Sequence, residues 1–219
     1  CETACPSGVQ FGALMEETRT ALAAEGRITP WWQRLGFRVL PRHRLLLVGS
    51  TALAVGQRLR LVPKRLGVPR LPLLRAAKVE TTGADVWMFT GCVMDAWQRE
   101  THRNTAALIA LTGATVAVPG SGGGCCGALH MHAGLHDDAT ALAERVMASM
   151  PGTAPILVNS AGCGASMKDY GTLLGTDDAR RFSARVFDIS EWLAERIERL
   201  PGATVARRPV IVQDPCHLR

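Results

Sequence analysis

The sequence predicts an α/β domain with a mostly parallel sheet, and two observations support that fold class. From about residue 79 onwards, short β-rich runs alternate with helical patterns, which is typical of parallel strands joined by helices. Most of the cysteines follow these strand-like runs within a few residues. Ligands bind at the edge where the carboxyl ends of parallel strands meet, so these cysteines are expected to converge on one site.

The individual elements are predicted from periodicity and from the residues at their ends. A helix is expected over 10–25, because Leu14, Thr18 and Leu22 recur every fourth residue and Gly26 can close it. A second helix is expected over 45–61, bounded by prolines. The later elements are expected in this order: a strand at 85–90, a helix at 95–111, a strand at 115–119, a helix at 137–150, strands at 155–159 and 185–188, a helix at 190–199 capped by Ser190, and a strand at 209–213.

The composition is that of a globular chain. Of its 219 residues, 47% are hydrophobic and 20% are charged, which excludes disordered and collagen-like classes. The longest nearly uncharged apolar run, 45–56, has 12 residues, whereas a membrane-spanning helix needs about 20. Aromatic residues make up only 5% of the chain, and no nucleic-acid-binding motif accompanies the basic residues. No nucleic acid partner is therefore expected.

The net charge of +6 is concentrated in residues 34–75, which we call the basic segment. It contains ten Lys and Arg residues and no acidic residue, while both flanks are slightly acidic. Three roles fit this composition: a linker whose apolar residues pack on a neighbouring domain, a docking site for an acidic partner subunit, and an interfacial helix on anionic lipid. The sequence leaves all three open.

The chain contains seven cysteines and no visible signal peptide, which favours a reducing compartment over a disulfide framework. The adjacent Cys125 and Cys126 are poor disulfide partners for each other. Glycines on both sides of them would let the backbone approach a bulky inorganic cluster closely. Two consecutive thiolates can reach two metals of one cluster, and soft thiolates suit iron–sulfur groups or zinc. Buried free cysteine is the alternative that involves no ligand.

The chain starts at Cys1 and not at Met, and we expect it to be a fragment or a processed chain. Cys1 and Cys5 form the pattern C-x3-C-P. This pattern ends the bacterial ferredoxin run, in which the last Cys ligates the other of two clusters. By itself, this spacing is only a weak indication of cluster ligands, and it has to be considered together with the motifs that follow.

Taken together, the cysteine motifs resemble the CCG family of cysteine-rich domains. The family occurs in a subunit of heterodisulfide reductase and in iron–sulfur subunits of 2-hydroxy-acid and glycerol-3-phosphate dehydrogenases. The resemblance is greatest to the iron–sulfur subunits of glycolate oxidase, and it rests on CETACPSGVQFG, TGCVMDAWQRETHRNTAALIALTGATVAVP, GGCCGALHMHAG, NSAGCGASMKDYG and DPCHLR. It implies the end of an α-helical two-cluster 4Fe-4S ferredoxin domain at 1–33, a basic helical linker at 34–78, a first CCG domain at 79–205 and the start of a second CCG domain at 206–219.

The resemblance also implies cofactor ligands. Cys1 and Cys5 match one ligand to each of two [4Fe-4S] clusters. The first CCG motif consists of Cys92, Cys125, Cys126 and Cys163, and Cys216 opens an incomplete second motif. Ser166 stands where the heterodisulfide reductase pattern has its last cysteine. The first motif is therefore expected to hold a different cluster, another metal or none.

The function implied by the resemblance is electron transfer. A separate flavin-binding glycolate oxidase subunit, carrying FAD, would oxidise glycolate to glyoxylate, and the iron–sulfur subunit would pass the electrons towards an acceptor. The expected location is the cytoplasm, with peripheral contact to the inner face of the cytoplasmic membrane through the basic segment. The alternatives are a subunit that serves L-lactate or glycerol 3-phosphate oxidation, a thiol–disulfide reductase, and a zinc-stabilised binding module without a redox role. No catalytic residue is expected in this chain.

Three histidines follow cysteines closely, namely His130, His132 and His217. Imidazole can complete a Cys/His metal site, but their spacing matches no zinc motif, so a surface or helix-start position is expected. The glycine-rich stretch before Cys125 is not followed by G-K-[ST], so it does not match a phosphate loop.

Overall fold

A computed structural model describes residues 6–120 and 122–202, together with 209 and 211. In this part of the chain the helices are α1 (Phe11–Ala24), α2 (Trp31–Val39), α3 (His43–Arg58), α4 (Val93–Trp97), α5 (Arg99–Leu111), α6 (Ala128–His132), α7 (His136–Ser149), α8 (Ala161–Lys168), α9 (Tyr170–Leu174), α10 (Asp177–Ser183) and α11 (Ile189–Ala194). The strands are β1 (Val86–Phe89), β2 (Val116–Ala117), β3 (Ile156–Val158) and β4 (Val186–Asp188). Short 3-10 turns lie at Lys64–Leu66 and Ile197–Arg199.

The four strands form one parallel sheet in the order β2-β1-β3-β4. The α/β class and the mostly parallel sheet predicted from the sequence are thus confirmed. The chain leaves β1 towards β2 on one side, then crosses back to β3 and continues to β4 on the other side. The strand order therefore reverses between β1 and β3, which is where open parallel sheets bind ligands.

The core has two layers, one on each face of the sheet. On one face, Ile156 and Val158 pack with residues of α7 to α10, including Val146, Tyr170 and Phe182. The opposite layer comprises Val86, Met88, Ile109, Val116, Leu157 and Trp192. Side chains alternate between the faces along β3, as expected for a strand buried on both sides.

The N-terminal helices pack against the helices that follow the cysteines. Helix α1 ends in a Schellman motif at Gly26, in which Arg27 N–H donates to the Leu22 carbonyl. After this turn, Thr29 donates a 2.6 Å hydrogen bond to the carbonyl of Ala133, at the end of α6. The helix predicted at 45–61 is observed as α3, whereas α2 was not predicted.

Arg75 connects α3 to α4. Its guanidinium donates to the carbonyls of Leu47 and Ala96 and to the hydroxyl of Thr51. Close by, the Trp97 indole donates to the hydroxyl of Ser50. These bonds fix the central part of the basic segment onto the helix that begins directly after Cys92.

Two predicted elements need correction. The helix predicted at 95–111 is two helices, because the chain breaks at Gln98, whose φ of −135° is not helical. Ser190 is not the cap of the last predicted helix. Asp188 caps it instead and forms a capping box with Glu191, and α11 ends at Ala194.

Several predictions fall on residues outside the described part of the chain. These are the ligands Cys1, Cys5 and Cys216, the residue His217 and three of the five residues of the strand predicted at 209–213, whose described residues 209 and 211 are not assigned to a strand. The ferredoxin-type end at 1–33 and the domain boundaries at 34, 79 and 206 also stay predictions. Within the described residues, no helix is long and apolar enough to cross a bilayer.

Candidate cysteine site

The structure brings four of the predicted ligands to the carboxyl edge of the sheet. Cys92 follows β1 at the N-terminal end of α4, and Cys163 lies in the first turn of α8 after β3. Cys125 and Cys126 lie in the loop between β2 and α6. Because β1 lies between β2 and β3, the three cysteine-bearing connections are neighbours, as the sequence predicts.

The four thiols form two hydrogen-bonded pairs. Cys125 donates to Cys92, which lowers the pKa of Cys92 to about 7 and raises the pKa of Cys125 far above its ordinary value. Cys126 donates to Cys163, which lowers the pKa of Cys163, and the same bond together with burial raises the pKa of Cys126. Each pair thus contains one sulfur that favours the thiolate and one that remains a thiol donor.

Other donors also point at the sulfurs. The backbone N–H groups of Gly127 and Ala128 donate to Cys125 and Cys126, respectively. The Cys163 sulfur accepts a hydrogen bond from the Ser160 hydroxyl, and the Cys92 sulfur accepts one from the N–H of Val93. These donors add to the lowering of the pKa of Cys92 and Cys163, and they oppose the rise in the pKa of Cys125 and Cys126.

This donor set fits an iron–sulfur group. Four soft ligands meet in two pairs, with Cys125 and Cys126 almost completely buried, and hydrogen bonds to the sulfurs are a known means of tuning such groups. In the described residues, no three His, Cys, Asp or Glu side chains converge on a single metal-ion position. Ser166 lies one turn after Cys163 in α8 and is half-buried.

The glycines around the cysteine pair have mainly a packing role. A Cβ at Gly123 would lie 2.5 Å from Pro119, and one at Gly122 would lie 3.0 Å from Ser149. Gly127 combines a φ of +84° with close contact to Ala139. Of Gly122, Gly123, Gly124 and Gly127, only Gly124 has open space at its Cβ position. The expectation that these glycines let the backbone approach a cluster closely stays a prediction.

Two buried polar contacts near the cysteines were not predicted. Tyr170 donates a 2.7 Å hydrogen bond to the carbonyl of Cys126. Asn159, four residues before Cys163, bonds to His102 and to Thr105 on α5. The sequence held one indication of Tyr170, since it is the only tyrosine and lies within the motif around Cys163. Its partner is 44 residues away in the chain, so no local pattern could identify the contact.

His130 lies near the start of α6, one of the two positions expected for it, but it is not at the surface. Its side chain is buried, with 2% exposed, and its Nε2 lies 3.2 Å from the carbonyl oxygen of Phe37 in α2. The ring also packs on Phe37 at a centroid distance of 5.4 Å. Burial lowers the pKa of His130, so the neutral ring serves as a contact between α6 and α2. His132 is exposed, as expected.

Comparison with known proteins agrees with this site. Residues 86–168 match the family model of the CCG cysteine-rich domain. This segment is a CCG domain. It includes Cys92, Cys125, Cys126 and Cys163 and ends at the last residue of α8.

The whole chain is similar to two curated proteins. It is 29% identical to the "Probable glycolate oxidase iron-sulfur subunit" of Bacillus subtilis and 29% identical to the "Glycolate oxidase iron-sulfur subunit" of Escherichia coli. Both matches cover 100% of this chain and 57% of the relative. The chain thus spans a little over half the length of these relatives.

A third relative has a different name. It is a subunit of the "Fumarate reductase (CoM/CoB)" of Methanothermobacter marburgensis, and it is 32% identical over 64% of this chain and 27% of its own length. No solved structure gave a significant match. The three relatives are thus named as subunits of two different kinds of oxidoreductase.

Proposed function

We propose that this chain is part of an iron–sulfur electron-transfer subunit of glycolate oxidase. A flavin-binding subunit would oxidise glycolate to glyoxylate, and the iron–sulfur subunit would carry the electrons towards an acceptor. One observation carries the proposal. Two hydrogen-bonded cysteine pairs, Cys92 with Cys125 and Cys126 with Cys163, lie at the point where the strand order reverses. The similarity of the whole chain to two proteins named as glycolate oxidase iron–sulfur subunits supports the choice of substrate.

The residues of the CCG domain have separate roles in this function. When bound, an iron–sulfur group supplies reversible one-electron storage. Cys92, Cys125, Cys126 and Cys163 would hold it. The N–H groups of Gly127 and Ala128 donate to two of these sulfurs and would stabilise the negative charge that builds up on reduction. The burial of Cys125 and Cys126 keeps water away from that side of the site.

The remaining cysteines belong to the proposal as well. Cys1 and Cys5 would each ligate one [4Fe-4S] cluster of a ferredoxin-type domain, and Cys216 would belong to a second CCG motif. This assignment rests on the motif resemblance and on relatives that are longer than the present chain.

Metal analysis of the anaerobically purified full-length protein tests the electron-transfer role. We expect iron and acid-labile sulfide in similar amounts, and an EPR signal that changes on reduction. Cys126→Ser should lower the iron content, whereas Thr153→Ser on the exposed surface should not. Stoichiometric zinc without iron would instead identify a zinc-stabilised binding module and refute the electron-transfer role.

The substrate is tested with the flavin-binding partner. Glycolate added to the reconstituted complex should reduce the EPR-active centres of the iron–sulfur subunit faster than L-lactate or glycerol 3-phosphate does. Faster reduction by L-lactate or glycerol 3-phosphate would assign the subunit to the corresponding dehydrogenase.

The basic segment is the part of the chain best suited to contact that partner. Trp31, just before the segment, is 76% exposed, and α3 presents an open apolar strip of Leu47, Val48, Thr51, Ala52 and Val55. Exposed apolar side chains beside uncompensated positive charge fit an acidic protein surface. Contact with the inner face of the cytoplasmic membrane, and a cytoplasmic location, stay predictions.

Charge reversal distinguishes between a docking site for the partner, a membrane contact and a linker. Arg60→Glu combined with Arg65→Glu should reduce co-purification of the flavin-binding partner, while Arg103→Glu on the exposed side of α5 should not. If the double variant instead lost only its binding to anionic vesicles, the surface would be a membrane contact. Unchanged behaviour in both assays would identify the segment as a linker.

A further inference from the structure

One peptide group connects Tyr170 to the sulfur of Cys125. The peptide that joins Cys126 to Gly127 accepts the Tyr170 hydroxyl at its carbonyl oxygen, over 2.7 Å. The N–H of the same peptide belongs to Gly127 and donates to the sulfur of Cys125. Tyr170 therefore holds the carbonyl end of this peptide dipole, and the N–H end points at Cys125, a predicted cofactor ligand.

The conformational preference of glycine does not favour one orientation of this peptide. Gly127 has a φ of +84°, and glycine adopts positive and negative φ about equally well. Rotation of the peptide would turn its N–H away from Cys125 and its carbonyl away from Tyr170. The hydroxyl bond is thus a restraint that the backbone at this glycine does not provide by itself.

Tyr170 is well placed to act as such a restraint. Its side chain is fully buried, at 0% exposure, and its ring stacks on Phe182 with a centroid distance of 5.7 Å. The next residue, Gly171, donates its N–H to the Ser183 hydroxyl. Because ring and backbone are both fixed, the hydroxyl is held in one position relative to the cysteine loop.

We propose that Tyr170 is a positioning residue of the cysteine site, which orients the Cys126–Gly127 peptide so that its N–H bonds to the Cys125 sulfur. The inference rests on the proposed function only in so far as that sulfur ligates an iron–sulfur group. Hydrogen bonds to ligand sulfurs raise the reduction potential of such groups, because they stabilise the more negative, reduced form. Loss of the hydroxyl should therefore make the potential more negative.

Tyr170→Phe removes the hydroxyl and keeps the ring. In the anaerobically loaded full-length protein, we expect a more negative midpoint potential and altered EPR g values, with the iron content retained. Thr112→Val is the matched control, since it also removes one buried hydroxyl-to-carbonyl hydrogen bond, at the end of α5. It should leave both the potential and the g values unchanged.

A second measurement does not need the metal. Hydrogen exchange of the Gly127 amide in metal-free protein should be faster in Tyr170→Phe than in the wild type, and unchanged in Thr112→Val. Global labelling with 3-fluorotyrosine adds a 19F reporter, whose Tyr170 resonance is assigned by its absence in Tyr170→Phe. This resonance should shift when the wild-type protein is reduced.

The outcomes distinguish this inference from the proposed function. Wild-type protein without iron would refute the electron-transfer role, and the exchange rate of the Gly127 amide would still decide the role of Tyr170. The positioning role would be overturned if the iron-loaded wild type and Tyr170→Phe had equal midpoint potentials and equal g values, and if their Gly127 amides exchanged at equal rates. If Tyr170→Phe does not load iron, an unchanged 19F shift on reduction of the wild type would overturn it.

Discussion

Gly134 lies directly against the backbone of Arg19, so that a Cβ at Gly134 would be 2.3 Å from the Arg19 carbonyl oxygen. This contact joins the end of α6, which follows the cysteine pair, to α1 near the start of the chain. Gly134 also has a φ of +74°. The fold thus requires glycine here for two separate reasons, one steric and one conformational.

Gly134→Ala should separate these two reasons from each other. Gly152→Ala is the matched control, because Gly152 has a φ of +84° and open space around its Cβ position. Both variants carry the conformational cost, but only Gly134→Ala overpacks the contact with α1, which should cost about 1–3 kcal/mol more in the free energy of unfolding. Urea unfolding measures the difference, and equal losses would contradict the close packing of α1 on α6.

Oxidation of the metal-free protein should reveal the cysteine pairing. With hydrogen peroxide, each hydrogen-bonded pair of thiols loses two hydrogens and forms a disulfide, while the peroxide becomes two waters. We expect Cys92–Cys125 and Cys126–Cys163, since the thiols within each of these pairs shift each other's pKa most strongly and adjacent cysteines bond poorly.

Single serine variants make this pairing visible by mass spectrometry. In Cys125→Ser, the remaining bond should join Cys126 to Cys163 and leave Cys92 free. In Cys126→Ser, it should join Cys92 to Cys125 and leave Cys163 free. A bond between Cys92 and Cys126 in the first variant would show that the pairs are assigned wrongly.

Arg75→Lys should weaken the contact between α3 and α4. The Arg75 guanidinium makes three hydrogen bonds in different directions, which a single ammonium group on a flexible stem cannot reproduce. We expect a loss of about 1–3 kcal/mol in the free energy of unfolding. The control, Arg70→Lys on the exposed surface, should change it by less than about 0.5 kcal/mol. Similar chemical denaturation midpoints for the two variants would argue against this role.

Three histidines should make the fold less stable in mild acid. Burial lowers the pKa of His43, His102 and His130 below the ordinary value of 6.5. The unfolded chain then binds more protons than the folded chain around and below pH 6.5, so stability present at higher pH is lost as the pH falls through that value.

Unfolding in urea at pH 7.5, 6.5 and 5.5 checks this dependence. The free energy of unfolding should decrease from the first to the last pH. In His102→Gln the decrease should be smaller, because one of the groups that must take up a proton is gone. An equally steep decrease in that variant would show that His102 does not contribute.

The prediction of the elements succeeded where the signal is local. The apolar runs at 85–90, 115–119, 155–159 and 185–188 contain the four observed strands, because a strand buried on both faces is marked by its own composition. The short helices α6 and α8 to α10 were not predicted. Helices of this length are stable only through packing, and the residues they pack against are distant in sequence.

The meeting of the four cysteines follows from the amino-acid sequence alone. Each lies shortly after a strand-forming run, and the carboxyl ends of parallel strands share one edge of a sheet. Which sulfurs pair, which backbone groups donate to them and which tyrosine holds the loop depend on the strand order β2-β1-β3 and on contacts such as that of Tyr170 with Cys126. These contacts join residues that no periodicity relates, so they are set by the tertiary packing.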